Sequence, residues 1–468
     1  MFEPVTKPRV FGLPPGADFP KVLVAGLVER HKTLPPEALA RVTLVVNTRR
    51  MARRIRALFD AGPARLLPKI QLLTDLGKGP ETADIPAAVS PLQRRLELTQ
   101  LVSGLLDREP DLAPRAALYD LADSLASLMD EMQGEGVPPE AIAKLDVGDQ
   151  SGHWARSLQF LQIVQTFFGP SDHALDAEAR QRLVVERLAK VWAATPPAAP
   201  VILAGSTGSR GTTLALMQAV AQLPQGALIL PGFDFEMPVS GWHDLSNAMT
   251  AEDHPQFRFR RLMDRLGLER GDIGLWHPAS SPPLSQSQSQ SQSQSAFLSI
   301  SPARNKIVSL ALRPAPVTDC WLSEGPQLGN IMQAFDAVTL VEATSQRDEA
   351  MAIALRLRQA AENGQTAALV TSDRVLSRQV TAALDRWSIL PDDSAGTPLH
   401  LTPPGRFLRH VAALFQGETS AASLLELLKH PLCHSAQGRN THLLLTRDLE
   451  LYLRRYGQAF TEKHDLLR

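Results

Sequence analysis

Short apolar runs that are each followed by a helical pattern constrain this chain more than any other feature. Residues 8–12 read as a buried strand and 18–31 as a helix. Val42-Thr43-Leu44-Val45-Val46 reads as a second strand, with Asn47 or Thr48 capping a helix through Phe59. Val201-Ile202-Leu203-Ala204 is a strand before a helix at 212–223, and Ala227-Leu228-Ile229-Leu230 is a further strand. The same order returns with Val338-Thr339-Leu340-Val341, a helix at 345–362, Ala367-Ala368-Leu369-Val370 and a helix at 373–386. Apolar strands joined through helices predict a parallel sheet with helices on its faces, an α/β fold.

Between Ser90 and Leu188 the pattern turns almost wholly helical. One stripe is Leu92, Leu96, Leu98, Leu101, Leu105 and Leu106; another is Leu118, Leu121, Leu125, Leu128, Met129 and Met132. This reads as a helical insertion. From Ser285 to Ser295 the chain repeats Ser-Gln, and a polar two-residue repeat buries too little area to order itself. The expected organisation is 1–89 as the first part of an α/β domain, 90–195 as the insertion and 196–276 as the rest of that domain. A disordered linker follows over 277–305, and a second α/β domain with helical segments over 306–468.

The 468 residues are 44% hydrophobic and 21% charged, with a net charge of −1, so global charge selects no partner. Two cysteines, Cys320 and Cys433, cannot make a disulfide framework and suit a reducing, cytoplasmic compartment. No run reaches the roughly 18 apolar residues of a membrane span. The chain stops at Arg468 directly after a helical pattern, as a fragment of a longer protein would.

The first loop, Gly12-Leu13-Pro14-Pro15-Gly16-Ala17-Asp18, has the layout of a phosphate-binding loop without its chemistry. Such a loop needs free backbone N–H groups, a Lys for the terminal phosphate and a hydroxyl for Mg²⁺. Pro14 and Pro15 remove two donors, Ala17 stands where the Lys belongs and Asp18 where the hydroxyl belongs. No nucleotide is expected there.

Arg49, Arg50, Arg53, Arg54 and Arg56 fall within eight residues behind Thr48. Between Arg41 and Lys69 there are eight basic side chains and one acidic, Asp60. A strand-to-helix turn offers N–H groups and a favourable dipole to phosphate, and arginine adds bidentate bonds. Nucleic-acid backbone contact through Thr48, Arg49, Arg50, Arg53 and Arg54 is expected; a solvated helix face is the competing reading. Gly205-Ser206-Thr207-Gly208-Ser209-Arg210-Gly211 follows a strand and opens a helix, so Ser206, Thr207, Ser209 and Arg210 are candidate phosphate contacts, although no Lys accompanies them. Asp234 is the one carboxylate that a strand end could bring to the same edge, while Asp130-Glu131 reads as a solvated helix face. His430-Pro431-Leu432-Cys433-His434 reads as incidental residues at a helix end, because a zinc site needs more ligands at characteristic spacing. No catalytic residue and no metal site is expected.

Residues 42–55, Val42 to Ile55, resemble the strand-and-helix motif of UvrD/RecB-like superfamily 1 helicases that touches single-stranded DNA. Val338 to Leu384 resembles the start of their second motor domain, with Ala368 to Arg374, Ser377 and Arg378 similar to a further motif. More narrowly the chain resembles the AddB family, in its alphaproteobacterial form. The carrying segments are Val10 to Pro20, Leu128 to Met132, Ala204 to Ser209 and Leu228 to Asp234. The resemblance implies two RecA-like parallel-sheet domains, degenerate as a motor, with a large helical insertion. It implies a subunit of a helicase-nuclease complex that processes double-strand breaks. The partners implied are the AddA motor-nuclease subunit and double- and single-stranded DNA, with no membrane. Complete members carry a C-terminal nuclease region with Mg²⁺ and a four-cysteine iron–sulfur cluster; this sequence stops before such a region, so neither cofactor is expected in it. The alternative is an ATP-dependent helicase or exonuclease subunit with an unconventional nucleotide site, built from Gly205 to Thr213 with Asp234.

Overall fold

A computed structural model describes the chain except for residues 4, 139–140, 142–174, 277–300, 330, 416–418, 435–437, 458–459 and 462–468. The described residues form two compact units, Met1–Val338 and Thr339–Arg468.

The first unit is α/β. Strands β1 (Val10–Gly12), β2 (Thr43–Val46), β3 (Lys69–Leu72), β4 (Val201–Ala204), β5 (Gly226–Leu230) and β6 (Gly274–Leu275) form one sheet in the order β3-β2-β4-β5-β1-β6. Every pairing in it is parallel. Helix α1 (Phe19–Arg30) follows β1 and α2 (Arg49–Asp60) follows β2. The helical insertion contributes α3 (Pro91–Arg108), α4 (Leu118–Glu135) and α5 (Ala177–Ala194). Helix α6 (Gly211–Ala221) follows β4, α7 (Phe257–Leu266) precedes β6, and α8 (Pro302–Ala311) comes later in the chain.

Alternation along each strand sorts the core into two layers. Leu44, Val46, Ile202, Ala204, Ala227 and Ile229 pack with α1 and α2 on one face. Val10, Val45, Leu203, Leu228 and Leu230 pack with α5, α6 and α7 on the other. Central strands buried on both faces explain why β4 and β5 read as continuous apolar runs.

The expected strands at β1, β2, β4 and β5 are present. The sequence reading had no counterpart for β3, whose Lys-Ile-Gln-Leu pattern is half polar because it lies at the sheet edge, or for the two-residue β6. Within the insertion the buried stripe of α3 is Leu98, Val102 and Leu106, not the six expected leucines, and Leu92, Leu96 and Leu101 are exposed. The spacing of four selects one narrow face toward α4, where Ala122, Leu125, Met129 and Met132 are buried. Residues 302–305, expected in the linker, open α8, whose N-cap is Ser301 and whose Pro302 suits a first helical position. Helix α8 belongs to the first unit. The Ser-Gln repeat lies outside the described residues.

The second unit departs further from expectation. Helices α9 (Gln346–Glu362) and α10 (Arg374–Asp385) form and pack through Ala350, Ala354, Leu376, Val380 and Leu384. The segments 338–341 and 367–370 are not strands. Leu340 is 83% and Val370 94% exposed, and neither segment is in a ladder. A β-branched run favours a pleated, half-buried surface but does not create one without a hydrogen-bonding neighbour. The single parallel sheet among the described residues is therefore that of the first unit. Helices α11 (Pro403–Ala413), α12 (Ala421–Lys429) and α13 (Arg439–Tyr456) complete the second, with a two-residue antiparallel pair at Thr419–Ser420 and Phe460–Thr461.

Candidate nucleic-acid interface

Neighbouring strands β2 and β4 send the chain to opposite faces of the sheet, β2 into α2 and β4 into α6. A crevice opens outside the carboxyl ends of strands wherever adjacent connections diverge in this way. The same divergence occurs between β5 and β1. The three turns singled out in the sequence lie at these two places.

At the β2/β4 crevice the two candidate residues at the head of α2 divide the work. Thr48 is the N-cap, its hydroxyl accepting from Met51 N at 3.1 Å. Asn47 reaches across, its Nδ2 donating to Gly205 O at 2.8 Å, which joins the β2 turn to the β4 turn. Gly205 has a positive φ, and a Cβ there would sit 3.3 Å from Met51 Cε and 3.4 Å from Phe19 Cε1. Glycine thus allows the first turns of α1 and α2 to close on the β4 turn.

Helix α2 buries Ala52, Ile55 and Phe59 and turns Arg49, Arg50, Arg53, Arg54 and Arg56 to solvent. Arg50 has an interaction of its own. Arg54 lies 4.0 Å from Asp18 Oδ2. Arg49 acts on Asp75, whose carboxyl is held below its usual range chiefly by the Lys78 ammonium at 2.6 Å and in small part by Arg49. Arg53 and Arg56 meet no carboxylate among the described residues. The pairs 49–53, 50–53, 50–54 and 53–56 are three or four residues apart, and like charges at that spacing cost about 0.2–0.5 kcal/mol each, or about 1–2 kcal/mol together at low salt. A polyanion laid along this face would remove that cost.

The β4 turn is less open than its sequence suggests. Gly211 N, at the start of α6, donates to Glu135 Oε1 at 2.8 Å, and Thr212 Oγ1 donates to Gly134 O at 3.0 Å. The end of α4 thereby places a carboxylate where an anion would bind. Arg210 pairs with Glu178 at 2.6 Å. Ser206 is buried, its hydroxyl accepting from Gly208 N at 3.3 Å. Of the four candidates, Thr207, Ser209 and Arg210 are exposed, and Arg210 is the one of these held by a carboxylate.

The β1 turn is also spoken for. Ala17 N donates to Pro14 O at 3.3 Å, and Asn305 Nδ2 of α8 donates to Pro15 O at 2.9 Å. Asp18 caps α1, accepting from Lys21 N at 3.3 Å. A Cβ at Gly12 would lie 2.7 Å from Phe233 Cβ and 3.0 Å from Phe235 Cζ. Aromatic side chains of the β5 turn therefore fill the space beside it. Asp234 is likewise engaged, its Oδ1 accepting from Glu236 N at 2.9 Å and Met237 N at 3.0 Å. It closes an Asx-type turn.

Asp130 and Glu131 keep the expected solvated face: Glu131 is exposed, and the Asp130 carboxylate is 42% exposed while it pairs with Arg94 at 2.5 Å between α3 and α4. In the second unit His430 is buried beside the rings of Phe407 and His410, at 5.3 and 5.8 Å. Among the described residues no group of three or more His, Cys, Asp or Glu is arranged to hold a metal. Sequence reasoning missed Asn47 as a cross-link, Glu135 as the occupant of the α6 N-terminus and Asn305 as the partner of the β1 turn. Each acts across 76 or more residues of chain, so local spacing carries no signal of it. No family model matches the chain, and no curated protein matches it.

Proposed function

We propose that this chain is a non-motor, helicase-like scaffold that holds DNA by its backbone. The observation that carries the reading is the exposed arginine face of α2, whose first turn opens at the β2/β4 crevice. Sequence-tolerant binding of single strands needs a basic track along the phosphates rather than base-reading groups. Thr48, Arg49, Arg50, Arg53 and Arg54 would supply it, with Thr207 and Ser209 across the crevice. The doubly covered parallel sheet, the residues of the β1 turn and the AddB-like segments together support a degenerate RecA-like domain of superfamily 1 type. On that reading the chain is cytoplasmic. It joins an AddA-type motor-nuclease at double-strand breaks and leaves translocation and cleavage to that partner.

The rival is an ATP site at Gly205 to Thr213 with Asp234. It is disfavoured by Glu135 on Gly211 N, by the Arg210–Glu178 pair and by the engagement of Asp234 in its own turn. Two measurements on the full chain test the proposal. A labelled oligothymidylate should bind at low salt and weaken steeply as salt rises, while labelled ATP with Mg²⁺ should not be retained. Saturable ATP binding, or no DNA binding at about 50 mM salt, would overturn it.

A further inference from the structure

Helix α8 is tied down at two places on the same sheet edge. Near its start, Asn305 Nδ2 donates to Pro15 O of the β1 turn at 2.9 Å. At its end, the carbonyl of its C-cap Leu312 accepts from His254 Nε2 at 2.6 Å. His254 stands two residues before Gln256, whose side chain grips the β5 turn twice. Gln256 Oε1 accepts from Asp234 N at 3.0 Å and its Nε2 donates to Gly232 O at 2.8 Å. The helix is thus fastened to both turns that flank the β5/β1 crevice.

We propose that α8 is a strap closing the β5/β1 crevice and that protonation of His254 releases it. Only one tautomer satisfies the ring. Since Leu312 O can only accept, Nε2 carries the proton, and Nδ1 is left to accept from Gln256 N at 3.1 Å. A second proton on Nδ1 would face the Gln256 N–H, two donors head to head. The ring must then turn, and turning takes Nε2 away from Leu312.

The groups around the ring pull in both directions. The hydrogen bond to Leu312 O, Asp234 of the β5 turn and the adjacent Asp253 favour the cation; Arg313, beside the α8 C-cap, opposes it. Arg313 is itself paired with Glu324 at 3.0 Å, and Glu252 with Arg258 at 3.4 Å. Burial is the largest influence and holds the His254 imidazole below its ordinary value. A group lowered in the folded state stabilises the closed strap above the unfolded value of about 6.5 and loses that contribution as pH falls through the folded value.

Hydrogen exchange of the full chain, corrected for intrinsic rates and read by mass spectrometry, tests this. Between about pH 7.5 and about pH 5 the protection of residues 302–312 should fall by about tenfold, with residues 201–204 of β4 unchanged. In His254→Gln, whose amide donates without titrating, protection should hold across the range. Asn305→Ala should lower protection of the same segment at both pH values. Equal loss in His254→Gln, no loss in the unsubstituted chain, concurrent loss in β4 or full protection in Asn305→Ala would each overturn the proposal.

Discussion

Replacing Arg49, Arg50, Arg53 and Arg54 together with alanine should flatten the salt dependence of DNA binding. All four side chains are exposed, and the buried face of α2, Ala52, Ile55 and Phe59, is untouched. Alanine also has the higher helix propensity, so the helix should persist. Each phosphate neutralised on a single strand contributes about −0.7 to the slope of log affinity against log salt. Four full contacts would contribute about 2.8. Arg54 shares its charge with Asp18, Arg49 lies near Asp75 and Arg50 has an interaction of its own, so the structure supports two to three effective contacts and a loss of about 1.4–2.1 in slope. Between 50 and 200 mM salt, a fourfold change, that difference is about 7- to 18-fold in relative affinity. Fluorescence anisotropy of a labelled oligothymidylate at four or five salt concentrations reads the slope directly, and circular dichroism verifies the fold. An unchanged slope with weakened binding would refute electrostatic contact by α2; an unchanged affinity would refute its involvement altogether.

Three further outcomes follow from the same structure. Thr48→Ala removes the hydroxyl that accepts from Met51 N and should cost about 1 kcal/mol in urea unfolding, without changing the salt slope of DNA binding. Gly226→Ala would set a Cβ 1.8 Å from Val220 O, a backbone atom, and should destabilise by about 3 kcal/mol, whereas Gly104→Ala, with nothing near it in α3, should stabilise by about 0.5–1 kcal/mol; comparable melting temperatures for the two variants would contradict the packing described. His31 Nδ1 donates to Leu27 O at 2.7 Å, and burial is the main cause holding its imidazole below the ordinary value. Its contribution is present above about pH 6.5 and lost as pH falls through the folded value, so His31→Gln should show a flatter stability profile between about pH 7 and pH 5 in denaturant titrations.

Local chemistry made part of the fold legible. Apolar runs at 42–46, 201–204 and 227–230 are strands because burial on both faces demands continuous hydrophobicity. Asp18, Thr48 and Asp373 announce helix starts because a cap acts within three residues of its own position. The arginine cluster is likewise local: 3.6 residues per turn place its members on one face once α2 exists. Sequence thus set the central strands and the helices of the first unit, the emptied chemistry of the β1 turn and the basic face. The tertiary structure alone decided what meets what. Strand order, the Asn47–Gly205 link, the Glu135 carboxylate at α6 and the Asn305 tether on the β1 turn join residues 76 to 290 positions apart. The runs at 338–341 and 367–370 carry the same residue types as the strands of the first unit, yet they stay unpaired. A strand is defined by the neighbour that completes its hydrogen bonds, and no residue's own preference supplies that neighbour.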